Sequence, residues 1–374
     1  MAISLSNHSV RHLRLRAQLL FPQPLSAARN IAQVVQSLCG IQAQEEPSAA
    51  LAIRARTTGL IAANVEQARI NERSIVRTWG QRGTLHLLAT EDIGWLLPFL
   101  GPVFIAGDRR RRAELGLDED TCARAIHMLR NVLANQGPLT RAEIVEQLAM
   151  HSIRLEGQAR PHLLGRAALE GVICFGPNRG TEPTYVLLSN WLSHKDIRHP
   201  LSEDAAYREL TRRYLHAYAP ATPEDQAAWS GLPLSKTRAA WQSLADELLE
   251  VDVAGIPVWM LKSQAAWLDE QPPTSSIVRL LPRYDTYLLG YQSRDLAVPR
   301  EFAKRINAGG GIVHPTLLVD GRVVGTWKSQ QQKNQLNVRV EPFGSFSAEI
   351  YPGIEAEVAD IGRFVGVQAS LQVM

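Results

Sequence analysis

Residues 75–89 read IVRTWGQRGTLHLLA and carry the strand pattern on which the first predicted module depends. Their side chains alternate in character on both sides of a Gln-Arg-Gly turn, which is the pattern of a β-hairpin. Three stretches of helical periodicity precede it, at 26–40, 47–56 and 64–71. Three helices followed by a hairpin are typical of a winged helix, so we expect such a module here.

The same layout recurs twice further along the chain. The second copy has helical patterns at 118–135, 140–150 and 160–170 and a strand–loop–strand pattern at 172–188. Its middle helix is predicted to start at a capping box formed by Thr140 and Glu143. The third copy, 205–260, repeats the order, with Thr222 and Ser235 as predicted helix caps.

Beyond residue 264 the pattern changes to strands and turns. Pro272-Pro273 breaks the chain, and Asp320-Gly321 between two apolar runs predicts a hairpin. Strands are expected at 278–281, 315–319, 322–327 and 336–341, and a helix at 353–365 after a segment that starts at Phe346. The predicted fold is therefore α+β and mainly helical, with three tandem winged-helix modules (1–105, 106–200 and 201–264) before a β-rich C-terminal domain (265–374).

Composition limits the function classes. The 374 residues are 45% hydrophobic and 21% charged, as in a folded globular protein. The net charge is only +3, so any binding to nucleic acid must depend on local basic clusters. The N-terminus has charges scattered among its apolar residues, unlike a signal peptide, and no apolar run reaches the ~18 residues of a membrane span. We expect a cytoplasmic, nucleoid-associated monomer with no membrane contact.

Motifs for cofactors and metals are missing from the sequence. It has no GxGxxG, Walker, HExxH or GxSxG motif. The three cysteines, Cys39, Cys122 and Cys174, are widely spaced in apolar stretches and are expected to be buried rather than to form disulfides or a zinc site. We therefore expect no cofactor, no nucleotide and no metal.

A short connection between the first two predicted helices carries two glutamines. Gly40 is predicted to follow the first helix and Pro47 to open the second, which leaves Ile41-Gln42-Ala43-Gln44 extended. In extended backbone, residues two apart point to the same side, about 6–7 Å apart. Ile41 and Ala43 would anchor the loop, while Gln42 and Gln44 bracket one water or sugar. By spacing alone, two surface glutamines are the simpler interpretation.

Four motifs together resemble one protein family. GIQAQ after an apolar helix, VRTWGQRGTLHLL, LPRYDTYLLGYQSR and HPTLLVDGRVVGTW occur in the order found in the AlkZ/YcaQ-type winged-helix DNA glycosylases, from about residue 10 to residue 330. The resemblance implies that Gln42 and Gln44 form the catalytic pair and that double-stranded DNA is the partner. Gln44 stands where the YcaQ-like branch carries Asp, so the sequence is more similar to the AlkZ branch.

An amide at position 44 restricts the chemistry. Glutamine does not ionise and cannot act as an ordinary general base, but it can aim a water and place a carbonyl dipole near an oxocarbenium-like centre. N7- or N3-alkylated purines are cationic and leave as neutral bases, so they need little acid assistance. We therefore expect a DNA glycosylase for cationic alkylated purines, with N7-alkylguanine adducts and interstrand crosslinks as candidate lesions.

Basic and aromatic residues predict the DNA-contacting surface. Arg82, Thr84 and His86 alternate in the first hairpin and would share one face, although a solvated face, or a structural role for His86, is an alternative. For the run of four consecutive arginines at 109–112, a solvated helix face is also an alternative. Asp285 in the LPRYDTYLLGYQSR stretch is expected to be buried. The remaining predicted DNA contacts are Arg109, Arg110, Arg111, Arg112, Arg283, Tyr284, Arg294, His314 and Lys328.

Two other functions fit a winged-helix chain. A non-catalytic regulator would need outward polar residues for base edges. The recognition helices offer few of these, namely Arg160, Arg166, Lys236, Arg238 and Gln242. A scaffold with a degenerate site is disfavoured by the intact Gln-Ala-Gln triplet.

Overall fold

We analysed a computed structural model that describes residues 3–21, 30–270, 273–309, 311–345 and 347–374. The chain divides into two compact units. Unit 1 combines Met1–Val65 with Tyr207–Met374, and unit 2 is Glu66–Ala206. Two helices cross the division between them, α4 (Ala62–Ile70) and α11 (Glu203–Tyr218).

Unit 1 begins with short elements around the glutamine loop. They are β1 (Ile3–Leu5), α1 (Asn7–Ala17), α2 (Ile31–Ser37), β2 (Ile41–Gln42) and α3 (Glu46–Arg54). The first predicted helix, at 26–40, corresponds to α2. The part of that prediction before residue 30 lies outside the described residues. Asn30 caps α2 through a capping box with Gln33.

Unit 2 consists of helices and two small β-hairpins. Its elements are β3 (Ile75–Trp79), β4 (Leu85–Ala89), α5 (Ile93–Gly107), α6 (Arg109–Glu114), α7 (Glu119–Gln136), β5 (Leu139–Thr140), α8 (Arg141–Met150), α9 (Ala159–Leu169), β6 (Ile173–Phe175), β7 (Thr184–Leu187) and α10 (Leu188–Trp191). Strands β3 and β4 pair antiparallel around the predicted turn. Strand β7 pairs antiparallel with both β5 and β6.

Unit 1 resumes after α11 and carries the large sheet. Its elements are α12 (Pro223–Ser230), α13 (Leu234–Ser243), β8 (Leu248–Val253), β9 (Ile256–Leu261), β10 (Val278–Leu281), α14 (Thr286–Leu289), α15 (Ala303–Ile306), β11 (Thr316–Val319), β12 (Arg322–Gln332), β13 (Gln335–Pro342), α16 (Tyr351–Val365) and β14 (Gln368–Val373). Five strands form one sheet in the order β10-β11-β12-β13-β14, and β1, β8 and β9 form another.

Local signals predicted most helix starts correctly. Thr140 and Glu143 exchange both hydrogen bonds of the capping box, and Thr222 does the same with Asp225. The prediction for Ser235 is wrong: Pro233 occupies the cap position of α13, and its fixed φ starts the helix without a side-chain bond.

The predicted mixed α+β class is confirmed, and about half of the chain is helical. The division into three winged-helix modules and a C-terminal domain stays a prediction. All four C-terminal strands exist, but β12 continues to Gln332, and the parallel strand β14 was not predicted because QASLQV is largely polar. Pro272 and Phe346 lie outside the described residues.

Each unit has its own apolar core. In unit 2, α7, α8 and α9 pack against the β6–β7 hairpin around fully buried residues such as Ala125 and Leu163. In unit 1, α16 covers the large sheet, and Ile354 and Ile361 contact its strands. All three cysteines are buried, as predicted. Among the helices of the described ranges, none is long and apolar enough to cross a bilayer.

Candidate active site

The glutamine loop starts where α2 ends in a tight, buried cap. The Cys39 N–H donates to the Gln36 carbonyl and the Gly40 N–H to the Val35 carbonyl, which are the two bonds of a Schellman motif. The left-handed residue after the cap is Cys39, with φ 52°, and not Gly40 as predicted. Since Leu38 and Cys39 are both buried, the chain leaves the helix in a fixed direction.

The predicted anchoring of the loop is present, but the predicted alternation is incomplete, because Gln42 is buried along with its two neighbours. Ile41 and Ala43 are fully buried, as expected of the anchoring residues. Between and after them, Gln42 is only 9% exposed whereas Gln44 is exposed. The backbone is extended at Ile41–Gln42 and bends at Gln44 before α3 begins. The two amides therefore lie on an anchored segment, one recessed and one open to solvent.

Helix α3 follows the triplet directly, and residues 283–285 hold it at both ends. At its start, Arg283 Nη1 lies 2.6 Å from Glu45 Oε1, and Ser48 donates to Glu45 Oε2 at 3.0 Å. After its end, Arg56 donates to both oxygens of Asp285 at 2.8 and 2.7 Å. Arg56 and Asp285 have fully buried side chains, so the expectation that Asp285 is structural agrees with its surroundings.

A groove of about 720 Å³ opens beside the start of α3. Pro47 and Ser48 of α3 form part of its wall, and Pro282, Pro315 and Trp327 supply apolar surface. Its remaining polar lining is rich in cations. We call it the basic groove and define it by Arg283, Lys304, Arg305, His314 and Lys328.

Among the described residues that line the basic groove, one is a carboxylate, Glu341. Lys328 Nζ lies 2.8 Å from Glu341 Oε1, and Arg305 lies 3.9 Å from the other oxygen. The hydrogen bond from Lys328 lowers the pKa of Glu341, so the carboxylate stays ionised. Arg283 is paired with Glu45, and the other three cations, Lys304, Arg305 and Lys328, against Glu341 leave the groove electropositive and suited to an anionic ligand.

Other residues of the LPRYDTYLLGYQSR stretch have structural partners. The Tyr287 hydroxyl donates to the Gly321 carbonyl and the Tyr291 hydroxyl to the Tyr218 carbonyl, and both rings are buried. Arg294 Nε donates to the Leu288 carbonyl, and burial lowers its pKa. Tyr284 is partly exposed beside the Arg283 guanidinium. Of the predicted DNA contacts in this stretch, Arg283 and Tyr284 are therefore the better candidates for contact with a ligand, and Gln292 and Ser293 are exposed beyond them.

The predicted polar face of the first hairpin in unit 2 is not formed. Arg82 lies in a 3₁₀ turn with φ 55°, outside both strands, and Thr84 precedes β4. His86 is in β4 but only 4% exposed, and its Nδ1 lies 2.9 Å from the Thr84 carbonyl oxygen. Burial lowers the pKa of His86 to about 3, so the ring is neutral. The alternation failed because the turn is longer than the pattern assumed.

The arginine run of unit 2 forms the short helix α6. Its side chains therefore point in different directions. Arg109, Arg110 and Arg111 are exposed, and Arg110 and Arg111 both pair with Glu114. Arg112 is buried and pairs with Asp108 and Glu119. Its guanidinium is not accessible to a phosphate.

Sequence reasoning missed three residues of the site. Lys304 and Arg305 lie in an unremarkable stretch before a glycine-rich loop, and only the fold brings them to the basic groove. Glu45 adjoins the triplet, but no sequence signal links it to a residue 238 positions away.

One family model matches most of the chain. The model, described as DNA glycosylase AlkZ-like, covers residues 35–364. The chain belongs to the AlkZ-like DNA glycosylase family, as the sequence motifs predicted. It is accordingly an enzyme that acts on DNA and hydrolyses N-glycosyl bonds.

The similar relative and the similar solved structure both come from Streptomyces sahachiroi. The chain is 30% identical over 365 residues to an interstrand DNA cross-link repair glycosylase, and the match covers 95% of each protein. It is also similar to the solved structure of the S. sahachiroi DNA glycosylase AlkZ, with a TM-score of 0.84, 28% identity and full coverage of both chains.

Proposed function

We propose that the protein hydrolyses the N-glycosidic bond of cationic alkylated purines in duplex DNA, with Gln42 and Gln44 as its catalytic residues. The observation that carries the proposal is the anchored Gln-Ala-Gln segment, in which Ile41 and Ala43 are fully buried while Gln44 is exposed. A segment held this way fixes the backbone positions from which the two amides project, which favours preorganised contacts in a transition state.

The amide chemistry supports a cationic leaving group. Neither glutamine can take a proton from water, so the pair acts by orienting the water and by placing carbonyl dipoles near the deoxyribose. N7-alkylguanine departs as a neutral base without an added proton. Ordinary guanine requires acid assistance that two amides do not supply, so we expect unmodified DNA to be stable.

Interstrand crosslinks are the finer part of the proposal. A crosslink joined through N7 carries the same cationic purine as a simple adduct, and one of the two relatives is named for crosslink repair. The basic groove, whose wall includes Pro47 and Ser48 shortly after the triplet, offers space for the DNA around such a lesion. We therefore expect activity on both monoadducts and N7-linked crosslinks.

DNA binding is assigned first to the basic groove. Arg283, Lys304, Arg305, His314 and Lys328 suit phosphate contact, and the partly exposed Tyr284 beside Arg283 offers a ring for stacking. Arg82 and Thr84 of unit 2, and the exposed arginines Arg109, Arg110 and Arg111, stay proposed contacts. We leave out Arg112, Arg294 and His86, whose side chains are committed to partners within the fold.

The test is release of free 7-methylguanine from alkylated duplex DNA by the purified protein. Under single-turnover conditions, with enzyme in excess over DNA, we expect 7-methylguanine to be released from the alkylated duplex. We expect no free base from unmodified duplex. A variant with both glutamines replaced, Gln42→Ala and Gln44→Ala, serves as the matched control for a contaminating glycosylase. If the wild type releases no more 7-methylguanine than the double glutamine variant, the proposed substrate class is refuted.

A further inference from the structure

We propose that Glu45 is a positioning residue for base excision, acting through its ion pair with Arg283 to fix the Gln-Ala-Gln segment. This inference rests on the proposed function of Gln42 and Gln44. It concerns the residue next to Gln44 and a partner that reaches it from another part of unit 1.

The start of α3 has no side-chain cap. Glu45 occupies its cap position with extended backbone, yet the Glu45 side chain makes no capping hydrogen bond to the helix, whose residues are all described. Pro47 in the first turn has no N–H to offer. The carboxylate instead accepts from Arg283 on one oxygen and from the Ser48 hydroxyl on the other.

Arg283 is itself held in place. It lies two residues before Asp285, which is fully buried and forms a two-pronged ion pair with Arg56. Asp285 also accepts from the Tyr287 N–H and so caps α14. The backbone that carries Arg283 is therefore fixed with respect to the far end of α3. Through Glu45, Arg283 extends this fixed frame to the near end, one residue from Gln44.

The pair is too exposed to be explained as a source of stability. The side chains of Arg283 and Glu45 are 33% and 38% exposed, and ion pairs of this kind contribute about 0–1 kcal/mol to folding. Geometry has a larger effect on rate, because a displacement of ~1 Å in a reacting group costs up to ~10²-fold. Loss of the pair should therefore slow excision more than it destabilises the protein.

The test is a double-mutant cycle on single-turnover excision at saturating DNA, with Glu45→Gln, Arg283→Met and the double variant. We expect each single variant to slow excision about tenfold, and the double variant to be no slower than the slower single one, because both remove one interaction. Arg283→Lys keeps a cation for Glu45 and should retain more activity than Arg283→Met. Saturating DNA removes the separate effect of Arg283 on affinity.

Glu247→Gln is the matched control. It makes the same carboxylate-to-amide change in unit 1, in a pair in which Arg212 Nε lies 2.8 Å from Glu247, and should excise at the wild-type rate. Thermal unfolding of the Glu45 variant should stay close to that of the wild type.

Three results would overturn the positioning role. These are a wild-type rate for Glu45→Gln, additive effects in the double variant, and a slow Glu45→Gln beside fully active Gln42→Ala and Gln44→Ala. The last result would also refute the proposed catalytic pair. If only the Glu45 effect is missing while the glutamine variants are inactive, the proposed function stands and the positioning role fails.

Discussion

The two units differ in how they use residues that the sequence marks as candidates for DNA contact. In unit 1, Arg283, His314 and Lys328 come from separate segments and line one groove beside the start of α3. In unit 2, Arg112 and His86 are buried, and Arg110 and Arg111 share one carboxylate. Residues far apart in the sequence converge, whereas four adjacent arginines diverge around a helix. Density of charge along a sequence is thus a poor guide to density of charge in space.

Under the proposed function, both the chemistry and the stronger DNA binding belong to unit 1. The candidates of unit 2 are mostly engaged within their own unit, so their replacement should affect folding as much as binding. The predictions below test that assignment by comparing variants from the two units.

The largest effect is expected for Gln42→Ala and Gln44→Ala. Each should slow single-turnover excision by roughly 10²–10³-fold, the scale for removing one preorganised polar group from a transition state. DNA affinity should change little, because phosphate contacts supply most of it. Gln44→Asp, which introduces the carboxylate that the YcaQ-like branch carries at this position, should keep measurable activity on N7-methylguanine. Excision at the wild-type rate by both alanine variants would remove the catalytic assignment.

The basic groove should dominate the salt dependence of binding. Replacing Lys304, Arg305 and Lys328 with alanine should lower the slope of log K against log salt by about 2 to 3, since each lost phosphate contact contributes about 0.9. The measurement is DNA affinity by fluorescence anisotropy over a range of salt concentrations.

A control for the groove variant removes the same charge from unit 1 outside the groove. Lys262, Arg300 and Arg322 do not line it, and their triple alanine variant should keep nearly the wild-type slope. Equal slopes for the two triple variants would mean that total charge, and not convergence in the groove, governs binding.

Sequence alone predicted the local features and missed the distant ones. The Thr140 capping box and the Asp320-Gly321 hairpin were predictable because each depends on residues at most a few positions apart. The pairing of β1 with β8 was not, because it joins Ile3 to Val251 in parallel. The anchoring of Ile41 and Ala43 followed from alternation, whereas the basic groove depends on which strands are neighbours in the large sheet.

His86 should matter for stability and not for DNA binding. Its pKa of about 3 in the folded protein lies below the ordinary value of 6.5, so between these values only the unfolded chain takes up the proton. The contribution of His86 to the free energy of unfolding is therefore fully present above pH 6.5. It falls by up to about 1.4 kcal/mol per pH unit as the pH drops toward 3.

The variant His86→Asn keeps a side-chain N–H for the Thr84 carbonyl but cannot titrate. We expect the melting temperature of the wild type to fall relative to that of the variant between pH 7 and pH 5, with equal DNA affinity at pH 7. A difference in melting temperature that does not change with pH would contradict the burial of a neutral ring.

The smallest effect on binding is expected for the arginine run, and here the four residues must be separated. A helix turns by about 100° per residue, so Arg109, Arg110 and Arg111 spread around α6 and cannot all face one DNA backbone. Replacing these three with alanine should change the salt slope by about 1 or less, below the change for the basic groove. Arg112 is different because it is buried with Asp108 and Glu119 nearby.

Arg112→Ala should lower the free energy of unfolding by about 1–3 kcal/mol, the usual range for a substitution that removes buried packing and ion pairs. Replacing all four arginines would therefore mix loss of folding with loss of binding, and any weaker affinity would be uninterpretable. The informative pair is the triple variant of Arg109, Arg110 and Arg111 beside the single Arg112→Ala variant, each assayed for salt slope and thermal unfolding. If the triple variant of α6 lowers the salt slope as much as the triple variant of the basic groove, then α6 contacts DNA as strongly as the groove does. The proposed difference between the two units would then be wrong.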